Sequence, residues 1–151
     1  MEEEIKQQAA ILDKLIPDLA KVFGMEGLEE VLDIDINFVQ VQVLRQIYTL
    51  KEPMMSELGR ETDIQLSTLT RIVDKLVQKG FVVRKADLSD RRVVRVSVTS
   101  QGGDIVRKFE EARRKKIISI LEKLTSNERK KILQVLQVLH QRISNEARDE
   151  G

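Results

Sequence analysis

A change in the spacing of the apolar residues constrains the fold more than any other feature of this sequence. Residues 67–79 carry apolar side chains every three or four positions, which predicts an amphipathic helix. Along residues 92–99 the spacing becomes two, since every second residue from Val94 to Val98 is a valine, and this predicts a half-buried strand. With residues 81–85 as its partner strand, the segment forms a β-hairpin directly after the helix.

Helices are also predicted before this central segment. A helical spacing covers residues 3–23, where Pro17 should either kink the helix or mark the start of a second one. Asn37 is predicted to cap a helix that ends near Leu50, because an asparagine side chain accepts well from the first amides of a helix. Shorter predicted elements complete this part of the chain: a helical piece at 28–32, an extended Met54-Met55 pair and a helix at 56–61.

Two long helices are predicted after the hairpin. Gln101-Gly102-Gly103 should end the hairpin, and a helix is expected over residues 104–124. Thr125 and Glu128 then form a capping box at the start of a last helix, which runs to about residue 148. This last helix is apolar over a wide arc, so more than one of its sides must be covered, and a second copy of the chain is the expected cover.

Composition excludes several classes of function. The 151 residues include no cysteine and one histidine, His140, which excludes thiol catalysis, disulfide scaffolds and sites with several histidine ligands. Aromatic residues make up 3% of the chain, which disfavours the stacking platforms that bind single-stranded nucleic acid. The N-terminus is acidic and no apolar run approaches the roughly 18 residues of a membrane span. We therefore expect a single cytoplasmic domain over residues 1–151, with no metal, cofactor or membrane contact.

The net charge of +1 hides a gradient along the chain. Residues 1–40 carry 3 basic and 10 acidic side chains, whereas residues 60–95 carry 9 basic and 5 acidic side chains. The segment that contains the predicted helix and hairpin is therefore locally basic. Neutralisation of phosphates by such a patch supplies most of the non-specific affinity of a protein for DNA.

The helix at 67–79 and the turn of the hairpin carry the candidate DNA-binding residues. With its apolar face inward, the helix presents small hydroxyl groups and cations to solvent, and its N-terminus favours phosphate. Arg71 is long enough to reach a guanine edge in the major groove, and the tip of the hairpin places two guanidinium groups on a turn that fits a narrow minor groove. The candidate residues are Gln65, Ser67, Thr68, Thr70, Arg71, Lys75, Asp90, Arg91 and Arg92.

These residues resemble the winged helix-turn-helix of the multiple antibiotic resistance regulator (MarR) family of transcription factors. The resemblance runs from about Ile36 to Gly102, with Asn37 in place of a capping Thr and Val98 in place of the Leu that precedes Thr-x-x-Gly. The motifs that carry it are Thr68-Leu69-Thr70-Arg71, Asp74-Lys75-Leu76, Gly80 and the Asp-x-Arg of the wing, Asp90-Arg91-Arg92. The expected fold is mostly α with a small β-hairpin wing. A winged helix-turn-helix at 37–102 would lie between helical dimerisation regions at 1–36 and 103–151.

The resemblance also implies how such a protein works. It implies a homodimer that binds a pseudo-palindromic operator in double-stranded DNA, usually as a repressor. It implies a small effector, often an aromatic or phenolic anion, that weakens DNA binding by shifting the dimer between conformations. Two-fold symmetry predicts recognition helices roughly 34 Å apart, one turn of DNA. Because the chain has no cysteine, any effector should bind non-covalently.

Three other functions fit parts of the sequence. A winged helix that binds a protein partner would keep the fold but lose the basic face, and the four cations of the helix and the turn argue against it. An enzyme would need a convergent nucleophile, base or metal set, and no such set surrounds His140 in the sequence. A helical bundle would not need the alternating strand at 92–99. We expect a DNA-binding regulator and no enzyme, with the protein-binding winged helix as the alternative.

Overall fold

The computed structural model describes residues 1–24 and 27–149, apart from the side chains of Val31 and residues 146–149. The described residues form six α-helices, one 3-10 helix and a two-stranded antiparallel sheet, which confirms the mostly α fold with a β-hairpin. None of the described helices is both long enough and apolar enough to cross a membrane. The elements are α1 Glu2–Phe23, the 3-10 helix Leu28–Leu32, α2 Phe38–Leu50, α3 Met55–Thr62, α4 Leu66–Gln78, β1 Val82–Ala86, β2 Val94–Val98, α5 Ser100–Leu121 and α6 Ser126–Asp149.

The chain divides into two compact units. The helical unit comprises Met1–Val22 and Arg114–Gly151, and the winged unit is Phe23–Arg113. Among the described residues, every buried apolar side chain belongs to the winged unit. The hydrophobic core of a single chain therefore lies in the unit that carries the candidate DNA-binding residues.

The core of the winged unit is centred on α2, which packs against α3, α4 and β2. Ile72 of α4, predicted to face inward, is partly buried at the edge of this core. Full burial of a side chain the size of valine or leucine stabilises the fold by about 1.5–3 kcal/mol, so these contacts fix which face of α4 remains in solvent. The fully buried side chains of α2 and α4 are Val41, Val43, Leu44, Ile47, Leu69, Val73 and Leu76.

Both predicted helix caps are confirmed. The Asn37 side chain accepts from the Gln40 amide at 2.9 Å, and the Gln40 side chain accepts from the Asn37 amide at 3.2 Å. At the start of α6 the Glu128 carboxylate accepts from the Thr125 amide at 2.7 Å, and the Thr125 hydroxyl accepts from the Glu128 amide at 3.3 Å. The preceding helix α5 ends at Leu121, three residues earlier than predicted.

The structure contradicts one of the two alternatives for Pro17 and the strand expected at Met54-Met55. α1 is one helix that contains Pro17, so no second helix starts there. Met54-Met55 is not a strand, because Met54 makes one isolated bridge to Arg95 and Met55 begins α3. The Glu57 carboxylate accepts from the Met54 amide at 2.8 Å, which starts the helix at this point.

The start of α5 also differs from the prediction. The helix begins at Ser100, so Gln101–Gly103 lie in its first turn instead of ending the hairpin. The hydroxyl of Thr99 accepts from the Gly102 amide at 3.0 Å and caps the helix. A Cβ atom on Gly102 would overlap the carbonyl oxygen of Phe81. The glycine therefore permits a close approach of the helix to the backbone and does not break the helix.

The hairpin is shorter on its second strand than predicted. β2 begins at Val94 instead of residue 92, because the Val93 amide donates to the Asp90 carbonyl at 3.0 Å and belongs to the connecting turn. We call this turn, residues 87–93, the wing. The strands pair antiparallel, with Val82 opposite Val98 and Ala86 opposite Val94.

Candidate nucleic-acid interface

The N-terminus of α4 is exposed and carries no side-chain cap. Gln65 occupies the N-cap position, and no side chain makes a capping hydrogen bond there. Ser67 and Thr68 lie inside the first turn of the helix, not at its cap. The first amides of a helix carry partial positive charge and need acceptors, so this end of α4 is suited to an anion such as a phosphate.

The solvent face of α4 brings together all the residues that the sequence predicted there. Among the described residues, neither Arg71 nor Lys75 forms an ion pair. The Thr70 hydroxyl donates to the Leu66 carbonyl at 2.8 Å, so its oxygen is left to accept. Two cations and several hydroxyl groups thus share one surface. The exposed residues at and beyond the N-cap are Gln65, Ser67, Thr68, Thr70, Arg71 and Lys75.

Two ion pairs connect the hairpin to its neighbours. Asp74, at the edge of the exposed face of α4, pairs with Arg84 of β1 at 2.5 Å. Lys85 pairs with Glu52, in the loop before α3, at 2.9 Å. Exposed pairs of this kind contribute about 0–1 kcal/mol to stability, so their consequence is mainly to orient the hairpin relative to the helices.

The wing is held by two aspartate side chains. The Asp87 carboxylate accepts from the amides of Ser89 at 2.9 Å and of Asp90 at 3.2 Å. The Asp90 carboxylate in turn accepts from the Arg92 amide at 3.0 Å and lies 3.3 Å from its Nε. The side chain of Arg92 is still 92% exposed, and Arg91 is exposed beside it. Two guanidinium groups therefore protrude from an ordered turn.

Asp90 occupies a different position from the other candidate residues. Asp90 was predicted from the sequence to be one of the DNA-binding residues. In the structure its carboxylate accepts from the backbone amide and from the Nε of Arg92. A carboxylate is repelled by phosphate, so hydrogen bonding to Arg92 suits its charge better than a contact with DNA. Within the candidate interface Asp90 supports an arginine.

Sequence reasoning missed the residues that anchor the base of the wing. Arg95 of β2 donates from Nε to the Asp87 carboxylate and from Nη1 to the Glu52 carbonyl at 2.9 Å, and Nη1 lies 3.9 Å from Glu57. The Arg95 guanidinium and two backbone amides of the wing hold the pKa of Asp87 below its ordinary value. Asp87, which precedes the turn, was a signal that the sequence itself contained. Its partner, and the loop residues beyond that partner, depend on the fold.

A shallow cavity of about 210 Å³ borders the candidate face between α2 and α4. It joins the start of α2 to two cations of α4 and is open to solvent, which suits a negatively charged group such as a backbone phosphate. Its polar lining consists of Asn37, Gln40, Thr68, Arg71 and Lys75.

The part of the chain that the structure describes shows no cluster of potential metal ligands. No three side chains of histidine, aspartate or glutamate in those residues are grouped to hold an ion. His140 is exposed on α6, in the helical unit and away in sequence from the residues of the candidate interface.

One comparison with known proteins matches the part of the chain that carries the candidate residues. The sequence profile of the MarR family matches residues 36–94, which include all of α4 and the wing. The HTH-type transcriptional repressor MdtR of Bacillus subtilis is 28% identical over 102 residues, which are 68% of this chain and 59% of MdtR. A MarR family protein from Bacillus stearothermophilus has a similar structure, with a TM-score of 0.80 and 25% identity over 92% of this chain and 97% of that one. Streptococcus pneumoniae FabT, solved in complex with DNA, shares the fold with a TM-score of 0.67 at 19% identity, over 95% of this chain and 97% of FabT.

Proposed function

We propose that this chain, whose residues 36–94 match the sequence profile of the MarR family, is a transcriptional regulator that binds specific sites in double-stranded DNA. The observation that carries the proposal is the exposed face of α4, where an uncapped helix N-terminus, hydroxyl groups and two cations lie together. A helix with such a face is suited to the major groove, in which each base pair presents a distinct pattern of donors and acceptors. The chain acts by binding DNA and is not an enzyme.

The first part of the interface is α4 in the major groove. Ser67 and Thr68 are small, so the helix N-terminus can approach a phosphate closely, with backbone amides as donors. Arg71 reaches a base edge, where a bidentate contact to guanine is worth about 1–3 kcal/mol of discrimination. Lys75, one turn later, neutralises a backbone phosphate.

The second part is the wing in the adjacent minor groove. Arg91 and Arg92 protrude from the turn, and a guanidinium is attracted by the negative potential of a narrow minor groove. Asp90 holds Arg92 by its backbone and by its side chain, so the cation is presented in a defined direction. Such contacts add affinity on many sequences, whereas α4 selects the sequence.

We also propose that the chain acts as a homodimer through residues 1–36 and 103–151, with residues 37–102 as the DNA-binding region. In the single chain α1 buries no side chain, and among the described side chains seven large apolar residues of α1 and six of α6 are exposed. Two helices of 22 and 24 residues with such exposed apolar faces are not stable in water without a cover. A second copy offers identical faces, and closed two-fold pairs are the commonest oligomers.

We further propose that such a dimer represses transcription at a pseudo-palindromic operator. Two recognition helices roughly 34 Å apart would meet successive major grooves on one side of the DNA. MdtR is named a repressor, which supports the same sign of regulation here. An aromatic or phenolic anion, the effector that the family resemblance implies, would relieve repression by favouring a different spacing of the two helices. A coupling of about 1–3 kcal/mol changes affinity about 5–150-fold.

The experiment that tests the proposal is a selection of random duplex DNA on the purified protein at near-physiological salt, with the bound complex sized. An inverted repeat bound by two chains is the expected result. Binding without sequence preference, or no binding in the absence and presence of phenolic anions, would favour the alternative of a winged helix that binds a protein partner.

A further inference from the structure

Arg95 connects three parts of the winged unit. Its Nε donates to the carboxylate of Asp87 at the start of the wing. Its Nη1 donates to the carbonyl oxygen of Glu52 at 2.9 Å and lies 3.9 Å from the carboxylate of Glu57. Glu57 is the residue that accepts from the Met54 amide at the N-terminus of α3. One side chain therefore contacts the wing, the loop before α3 and α3 itself.

The line of contacts continues from Arg95 to the tip of the wing. Asp87 uses its other carboxylate oxygen to accept from the amides of Ser89 and Asp90. Asp90 accepts from the amide of Arg92 and lies beside its Nε. Asp87 is only 16% exposed, whereas Arg92 at the end of the line is 92% exposed. The exposed arginine is thus linked, through side-chain and backbone hydrogen bonds and the ion pair of Arg95 with Glu57, to α3.

We propose that Arg95 is the positioning residue of the wing, and that its contacts with Asp87 hold Arg92 where the minor groove of bound DNA receives it. The proposal rests on the proposed function, because it assigns the wing a contact with DNA. Arg95 itself contacts no DNA, since its guanidinium is turned to Glu52 and Asp87 at the base of the hairpin. A wing that is ordered before binding loses less conformational freedom on binding than a mobile one.

The variant Asp87→Asn distinguishes the positioning role of Arg95 from a simple change in electrostatic attraction to DNA. The asparagine oxygen can still accept from the two wing amides, but the ion pair with Arg95 is lost. The substitution raises the net charge of the protein by one, so electrostatic attraction to phosphates alone predicts tighter binding. The positioning role predicts weaker binding, by about tenfold, which corresponds to about 1.4 kcal/mol. The two explanations differ in the sign of the effect.

Arg95→Gln has a matched control in Lys85→Gln. Both substitutions remove one positive charge from the hairpin, and both wild-type side chains contact Glu52. Lys85 has no contact with the wing aspartates among the described residues. Arg95→Gln should therefore weaken binding to the selected operator about tenfold more than Lys85→Gln does, at the same salt concentration.

The test is a set of operator titrations in two backgrounds, wild type and Arg92→Ala. Asp87→Asn and Arg95→Gln should weaken binding in the wild-type background and have little effect once Arg92 is absent, because the positioned side chain is then gone. Urea unfolding of each variant shows whether the fold is intact. Tighter or unchanged binding by Asp87→Asn, or equal losses in both backgrounds, would overturn the proposal.

A measurement without DNA keeps the two proposals distinguishable. Backbone amide order parameters of residues 88–92 should be those of a rigid segment, about 0.85, in the wild type and in Lys85→Gln. They should fall towards about 0.6 in Arg95→Gln and Asp87→Asn. If the wild type selects no DNA, the proposed function fails. If residues 88–92 are rigid in all four proteins, Arg95 does not order the wing, whether or not the protein binds DNA.

Discussion

Gly102→Ala is expected to destabilise the protein, although alanine is the better helix former. Gly102 lies in the first turn of α5, and its Cβ would lie 3.0 Å from the carbonyl carbon of Phe81 and overlap the oxygen. The Phe81 carbonyl also accepts from the Thr99 amide at 3.0 Å, so the backbone there cannot withdraw without losing that bond. The first turn of α5 must therefore move away from the end of the hairpin.

The magnitude follows from two opposing terms. Forcing a methyl group into a packed site costs about 1–3 kcal/mol, and about 1 kcal/mol more is lost with a broken hydrogen bond. Replacing glycine by alanine within a helix returns about 1 kcal/mol. The net loss should be about 1–3 kcal/mol, or a fall in melting temperature of about 2–12 °C for a chain of this size. Because the wing continues directly into α5 through β2, operator affinity should fall as well.

Gly103→Ala is the matched control. A Cβ at Gly103 would have its nearest neighbours at 3.4 Å, in the flexible end of Arg107, and at 3.6 Å, in Tyr48. The helix-propensity gain then has nothing to oppose it, and the variant should be more stable by about 0.5–1 kcal/mol. Urea unfolding followed by circular dichroism, at one protein concentration, measures both variants. A Gly102→Ala protein as stable as Gly103→Ala would refute the close approach of α5 to Phe81.

Three further predictions concern DNA reading, assembly and pH. Arg71→Ala should weaken operator binding by about 1–3 kcal/mol and leave binding to unrelated duplexes nearly unchanged, and an equal loss on all duplexes would make Arg71 a phosphate contact. Leu136→Asp combined with Leu139→Asp should yield monomers in sedimentation, because each leucine is 51% exposed in the single chain and each buried leucine contributes about 1.5–3 kcal/mol on both sides of a two-fold interface; a persistent dimer would place the interface elsewhere. The amide and hydroxyl of Thr125 hold the pKa of Glu128 below its ordinary value. This stabilising contribution is therefore complete above the ordinary pKa of a glutamate and is lost as the pH falls towards the lowered pKa. Glu128→Gln should therefore reduce the acid-side decline of the urea midpoint, and an unchanged decline would argue against the cap.

The features that the sequence determined by itself are local ones. The caps at Asn37 and Thr125 and the inward face of α4 depend on side chains within about four positions of one another. The exposed residues from Gln65 to Lys75 follow from the same helical period. Once the buried stripe of α4 is assigned, the opposite face of the helix is the exposed one. Asp90-Arg91-Arg92 lies in a turn for equally local reasons. The candidate DNA-binding surface could therefore be predicted before any tertiary contact was known.

The features that only the tertiary structure decided depend on residues far apart in the chain. From the sequence alone, Gln101–Gly103 is predicted to end the hairpin. Only the contact of Gly102 with Phe81 explains why a helix carries glycine there. From the sequence alone, Arg95 is one more cation of a strand. Its contact with Glu52 appears only when the fold brings that loop beside the strand. Periodicity and capping are set by neighbours along the chain, whereas ion pairs and close approaches require the packed core to place distant backbone segments within a few ångströms of one another.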